Sequence, residues 1–167
     1  YGVWDDSRNK LEEVFARCMG AEAALVRSQF MSGTHTLTVA LFGLLRTGDT
    51  LLAATGRPYD TLEGVIGIGE AGKGCGTLRE YGVNYDECPL LPDHTPDYAL
   101  IAEKAKTATV VHIQRSRGYM QRNAFDLETI RKVAETARRA NPNAVIFVDN
   151  CYGEFTQTKE PLAAGAD

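Results

Sequence analysis

The stretch "ATVVHIQRSRGYMQRNAFDLETIRKVAETARRANPNAVIFVDN" (Ala108–Asn150) decides the fold. It opens with a β-branched segment, "ATVVHIQRS", that reads as a strand. "DLETIRKVAETARRA" has the alternation of an amphipathic helix, and "AVIFVDN" is a strand again. A strand, a helix and a second strand in succession predict an α/β domain with a largely parallel sheet. Both strands end abruptly in polar residues, Gln114-Arg115-Ser116 in one and Asp149-Asn150 in the other. Ligands of open α/β sheets bind beyond the carboxyl ends of the strands. Gln114, Ser116 and Asp149 are therefore expected around one crevice, the alternative being that each strand simply leaves for solvent.

Outward from that core, "DDSRNKLEEVFARCMG" reads as a helix with an apolar stripe at Leu11, Val14, Phe15, Cys18 and Met19. "EAALVR" has the length of a short strand. "SGTHTLTVALFGLLRTGD" starts polar and becomes apolar almost all round, as a buried helix does. "TLLAAT" is another candidate strand, "PYDTLEGVIG" a short helix and "PDYALIAEKA" a further helix. Each half of "TLREYGVNYDECPLL" is expected to be a strand.

The chain has 167 residues, 44% hydrophobic and 24% charged, which is enough for one packed domain or a compact piece of a larger one. Its longest uninterrupted apolar stretch, Val39–Leu45, is too short for a membrane span. A net charge of −4 argues against nucleic acid as the main partner. The four cysteines form no C-x-x-C pair and fit reduced thiols, so the expected location is the cytoplasm. The three histidines have no metal-ligand spacing: His112 reads as a core residue, His35 as packed and His94 as solvated. The chain begins at Tyr1 and stops at "GAD" without a terminating element, which suggests cut edges.

"GIGEAGKGCG" (Gly67–Gly76) spells both a dinucleotide fingerprint and the start of a phosphate-binding loop. Both fail on context, because the loop follows a helix and Gly74 stands where Ser or Thr would hold magnesium. "SQFMSGTHT" (Ser28–Thr36) is more informative. Ser32, Gly33 and Thr34 open a helix, where free backbone N–H groups and hydroxyls make an anion site, although an ordinary N-cap accounts for the same residues. Tyr59, in "TGRPYDTL", follows a strand and could stack on a planar ligand or pack as a half-buried loop tyrosine.

Taken together, "YGVWDDSRNKLEEVFARCMGAEAALVRSQFMSGTHTLTVALFGLLRTGD", "TGRPYDTLEGVIG", "IQRSRGY" and "VDNCYGEFTQTKEPLAAGAD" closely resemble the aluminium-resistance protein family, which is similar to methionine γ-lyase and cystathionine β-lyase. The resemblance runs from Tyr1 to Asp167. It implies a fold-type I enzyme dependent on pyridoxal 5'-phosphate. The whole chain would be part of the large domain, a three-layer α/β sandwich with a mostly parallel central sheet. The implied activity is a carbon–sulfur lyase acting on a sulfur-containing amino acid by β- or γ-elimination, in a homodimer or homotetramer. An aminotransferase or decarboxylase on the same scaffold, or a non-catalytic role in metal tolerance, are the alternatives.

The resemblance also implies roles. Ser32, Gly33 and Thr34 would cradle the cofactor phosphate, Tyr59 would stack on the pyridine ring, and Asp149 would pair with its nitrogen. Gln114 and Ser116 would lie near the ring hydroxyl or the substrate. Tyr1 would reach a neighbouring subunit's phosphate, although the arginine that accompanies it in the related enzymes is absent from Tyr1-Gly2-Val3. None of the six lysines matches the Schiff-base lysine of the family, which is expected soon after Asp167 together with the small domain. No catalytic residue and no metal ligand is assigned within the chain.

Overall fold

A computed structural model describes residues 6–70 and 76–167. The helices are α1 (Asp6–Met19), α2 (Gly33–Leu44), α3 (Asp60–Ile66), α4 (Tyr98–Lys104) and α5 (Leu127–Ala140). The strands are β1 (Thr50–Ala53), β2 (Asn84–Glu87), β3 (Val110–Gln114) and β4 (Val145–Asp149). They form one sheet in the order β2-β1-β3-β4, with every pairing parallel. Parallel neighbours place all four carboxyl ends on one edge, and the register sets Gln114 directly beside Asp149.

Alternation along the strands builds the three layers. Leu51, Val110, Val145 and Phe147 face α2 and α3, where they meet Leu41, Leu62 and Ile66. Leu52, Val111, Ile113 and Ile146 face the other way onto Ile101, Ile130 and Val133 of α4 and α5. α5 shows how sequence becomes layer. Asp126 caps it by accepting the Thr129 N–H at 2.8 Å, and Ile130, Val133, Ala134 and Ala137 fall on its buried face. Removing Ile130 or Val133 from water contributes roughly 1.5–3 kcal/mol each. Arg131 pairs with Glu128 at 2.6 Å and with Glu135 on the solvent face.

Four expectations differ. "EAALVR" is irregular rather than a strand, with Leu25 exposed, and among the described residues no strand pairs with it to satisfy its backbone. Of the two strands expected between Thr77 and Leu91, only β2 forms; Leu78 to Gly82 is a turn, closed by the Val83 N–H bonding back to the Leu78 carbonyl at 3.0 Å. α2 is not buried all round: one face meets the sheet through Leu41, while Val39 and Leu44 are exposed. The apolar stripe of α1 likewise points outward at Leu11, Val14 and Phe15, and only Ala16 is buried. Among the described residues no helix is long and apolar enough to cross a membrane.

Candidate functional site

The carboxyl edge of the sheet opens into a cavity of about 790 Å³, within the size range of sites for small ligands. Its walls include Gly33 and Thr34 from the start of α2, Tyr59 from the loop after β1, Ser116 and Tyr119 from the loop after β3, and Asp149 from β4. The sheet register therefore brings together five of the expected residues. Tyr1 lies outside the described residues, as do Lys73 and Cys75 of the glycine loop. No lysine and no cluster of possible metal ligands lines the cavity among the described residues.

At the start of α2, the Ser32 hydroxyl accepts the His35 N–H at 3.1 Å, so it acts as the N-cap, and it is not among the residues that line the cavity. Thr34 and Thr61 share a hydroxyl–hydroxyl bond of 2.7 Å, which ties the first turn of α2 to that of α3. A methyl group built on Gly33 would meet nothing within 4 Å. The helix start thus presents open space above free backbone donors, the arrangement an anionic group needs for close approach.

Gln114 is buried, and the residues that line the cavity do not include it. Its side chain accepts the Tyr59 N–H at 2.7 Å and donates to the Ser116 carbonyl at 3.1 Å. Its own backbone N–H reaches the Thr55 hydroxyl at 3.0 Å. It fastens the loop after β1 to the loop after β3 and stands behind Tyr59. The Tyr59 hydroxyl donates to the Tyr119 hydroxyl at 3.0 Å, with ring centroids 5.4 Å apart. Because ionisation would forfeit that donated bond, the Tyr59 phenol is pushed up to about 12.

Gly118 makes this juxtaposition possible. Its φ is +56°, and an added Cβ would lie 3.1 Å from the Gln114 amide nitrogen and 3.3 Å from the Tyr59 ring. Gly118→Ala is expected to destabilise the protein by about 1–2 kcal/mol, the cost of a left-handed residue with a side chain. It should also displace Tyr59. Thermal unfolding of the full-length protein checks this, and an unchanged midpoint would mean that the loop relaxes freely.

Asp149 is partly exposed and accepts the Cys151 N–H at 3.0 Å, which turns the chain sharply as β4 ends. Two residues back along β3, His112 is buried, and its Nε2 has no hydrogen-bond partner among the described residues. Burial holds it well below the usual imidazole range, against the opposing pull of the Asp149 carboxylate. The expected core histidine is therefore a neutral one.

The loop that follows Asp149 hangs on Arg115, whose importance the sequence did not signal. All five guanidinium N–H groups of this buried arginine are used. Nε donates to the Phe125 carbonyl at 3.2 Å, and Nη1 to Asn150 Oδ1 at 2.7 Å and the Gly153 carbonyl at 2.9 Å. Nη2 donates to Thr156 Oγ1 at 3.3 Å and Gln157 Oε1 at 2.8 Å. Asn150 passes the network on, donating at 3.0 Å to buried Glu160, which also accepts the Phe155 N–H at 2.8 Å. A side chain at Gly153 would collide with Arg115 and Asn150. Tyr152 (φ 65°) and Phe155 (φ 58°) take the left-handed conformation in this loop, a strain that the surrounding network must hold.

Comparison with known proteins matches this arrangement to others. The sequence profile of the family described as methionine gamma-lyase matches residues 1–167. The Bacillus subtilis (strain 168) protein YnbB, described as uncharacterized, is 44% identical over 168 residues, covering 100% of this chain and 40% of that one. The chain thus spans about two fifths of that relative's length. A solved carbon–sulfur lyase involved in aluminum resistance from Clostridium novyi NT is 45% identical, with a TM-score of 0.93 over 100% of this chain and 40% of its own. The pyridoxal-5'-phosphate dependent protein YhfS from Escherichia coli shares the fold, with a TM-score of 0.69 at 20% identity over 96% of this chain and 38% of its own.

Proposed function

The chain belongs to the methionine gamma-lyase family, and from that premise we propose that it is part of a pyridoxal-phosphate-dependent carbon–sulfur lyase acting on a sulfur-containing amino acid. The observation that carries this reading is one cavity shared by a helix start, an aromatic ring and a strand-end carboxylate, at Gly33–Thr34, Tyr59 and Asp149. That donor set fits the cofactor's three parts: an anionic phosphate, a flat ring and a basic ring nitrogen.

When bound, the cofactor supplies an electron sink for the pair released as the substrate's Cα–H bond breaks. Gly33 and Thr34 would hold the phosphate through backbone N–H groups and the threonine hydroxyl. Tyr59, held in place through its N–H by Gln114, would stack on the ring. Asp149 would favour the protonated form of the ring nitrogen, as a carboxylate beside a base favours its charged form. Ser116, which lines the same cavity, would lie near the substrate. Leu37, Leu62 and Phe125 line the same cavity and give it an apolar part. This chain spans about two fifths of its Bacillus subtilis relative, and the lysine that would bond the cofactor and the small domain would belong to the part of the protein it does not span. Assembly as a homodimer or homotetramer is supported by the apolar residues exposed on α1 and α2.

Full-length protein with added cofactor is expected to release a thiol and a keto acid from methionine or from cystathionine. The measurement is thiol release with keto-acid analysis of the products. Transamination or carbon dioxide release without thiol would overturn the lyase reading in favour of another reaction on the same scaffold.

A further inference from the structure

We propose that Arg117 selects the substrate by binding a carboxylate carried on the sulfur substituent, so that the preferred substrates are those whose departing thiol ends in an anionic group. This rests on the carbon–sulfur lyase reading above and narrows its substrate class.

Arg117 stands at a junction. Beside the first cavity lies a second one of about 810 Å³, and Arg117, Ala124, Phe125 and Asp126 line both. The first contains Gly33, Thr34, Tyr59 and Asp149. The second contains none of these and runs instead past His94, Arg122 and Lys132. A sulfur substituent that extends from the first cavity along the shared wall meets Arg117.

The charges along that wall are unevenly committed. The Asp126 carboxylate caps α5 by accepting the Thr129 N–H at 2.8 Å. Asp93 accepts the Thr95 N–H at 3.0 Å and its hydroxyl at 2.6 Å. Lys132 stands 3.6 Å from Glu128. Arg117 is exposed, and among the described residues its guanidinium has no ion-pair or hydrogen-bond partner. Its backbone, in contrast, is fastened on both sides. The Ser116 carbonyl accepts from Gln114 at 3.1 Å and from Arg122 at 2.6 Å, and the Arg117 carbonyl accepts the Met120 N–H at 3.0 Å.

Arg122 adds a second positive charge to the same wall. It is buried, with its guanidinium 4.0 Å from the centre of the Phe125 ring, and among the described residues no carboxylate pairs with it. Burial pulls it down to about 10, so it remains charged at neutral pH. A free guanidinium on a positive wall suits a carboxylate, which its planar fork can grip through two N–H groups at once. The methyl group on the sulfur of methionine has no charge to offer it.

The test uses the full-length enzyme with cofactor, as wild type and as Arg117→Gln. The two probes are S-(2-carboxyethyl)cysteine and S-propylcysteine, alike in length and in the bond that breaks, and different in the terminal carboxylate. In the wild type kcat/KM should favour the carboxyethyl probe by roughly 10- to 100-fold, the scale of a charge-assisted hydrogen bond. In Arg117→Gln that preference should shrink to within about threefold. Binding of the α-methyl analogues, which have no Cα–H to lose, gives a readout free of turnover. Their dissociation constants, followed by the absorbance of the bound cofactor, should show the same preference and the same loss. Cofactor affinity itself should not move. Equal kcat/KM for the two probes in the wild type, a preference that survives Arg117→Gln, or weakened cofactor binding in the variant would each overturn the role of Arg117 while leaving the lyase reading intact. Thiol release from neither probe also overturns that role; if methionine and cystathionine release none as well, the lyase reading falls with it.

Discussion

Replacing Arg115 with methionine is expected to open the loop of residues 150–157 without unfolding the sheet. Arg115 makes five hydrogen bonds into this region, four of them to Asn150, Gly153, Thr156 and Gln157. Methionine fills much of the same space but supplies none of them. The change would also leave Glu160 buried without the cation to which Asn150 links it. Breaking a buried charged network from one side costs about 3–5 kcal/mol. The strain at Tyr152 and Phe155 adds to the drive toward opening once the network is gone. Hydrogen exchange reads this directly. The Gly153 amide, bonded to the Asn150 carbonyl at 2.7 Å, and the Phe155 amide, bonded to Glu160 at 2.8 Å, report on the loop. Their protection in the full-length protein should fall by roughly a hundred- to a thousandfold, while amides of β3 hold. Lysine at 115 should rescue little, because an ammonium has three donors and no planar fork. Unchanged protection at Gly153 and Phe155 would show that the loop holds itself.

Asp149→Asn carries the second large effect. Asparagine keeps an oxygen to accept the Cys151 N–H, now at 3.0 Å, so the turn after β4 should survive. What it removes is the negative charge that the proposed function places against the cofactor's ring nitrogen. Losing one member of a hydrogen-bonded charge pair costs about 2–5 kcal/mol, or roughly 30- to 4,000-fold at about 1.4 kcal/mol per factor of ten. The full-length variant is expected to lose that much in kcat/KM. The sign of the accompanying pH effect follows from the charge. A carboxylate raises the tendency of the ring nitrogen to hold its proton, so in the variant that proton should leave at lower pH. A spectrophotometric pH titration of the bound cofactor checks this without turnover. A ring-nitrogen midpoint that does not move would place Asp149 elsewhere in the mechanism.

Much of the cavity lining was legible in the sequence because its signals are local. Asp149 could be read from the abrupt end of "VIFVD", and Gly33–Thr34 from the polar start of an otherwise apolar segment. Gln114 was legible as a strand-end polar residue, yet it works from behind: its partner Tyr59 lies 55 positions earlier. Arg115 was legible only as one of the polar residues that end β3, since a buried arginine and a solvated one are spelled alike. Its partners lie up to 42 positions away, on a loop whose place depends on how β4 pairs with β3. Tyr119 was hidden in the same way, behind a glycine whose positive φ only the fold reveals.

The sequence by itself therefore determined the alternation of strands and helices, the direction of the sheet and the carboxylate at its edge. These follow from periodicity and abrupt polarity changes within a few residues, and a strand carries its own alternation wherever it is placed. It misjudged "EAALVR" and the outer face of α2, because strand formation and burial both require a partner that no local pattern names. The tertiary structure alone decided which side chains hold the loops around the cavity. Hydrogen bonds between distant loops are set by the sheet register, and that register exists only once the strands have paired.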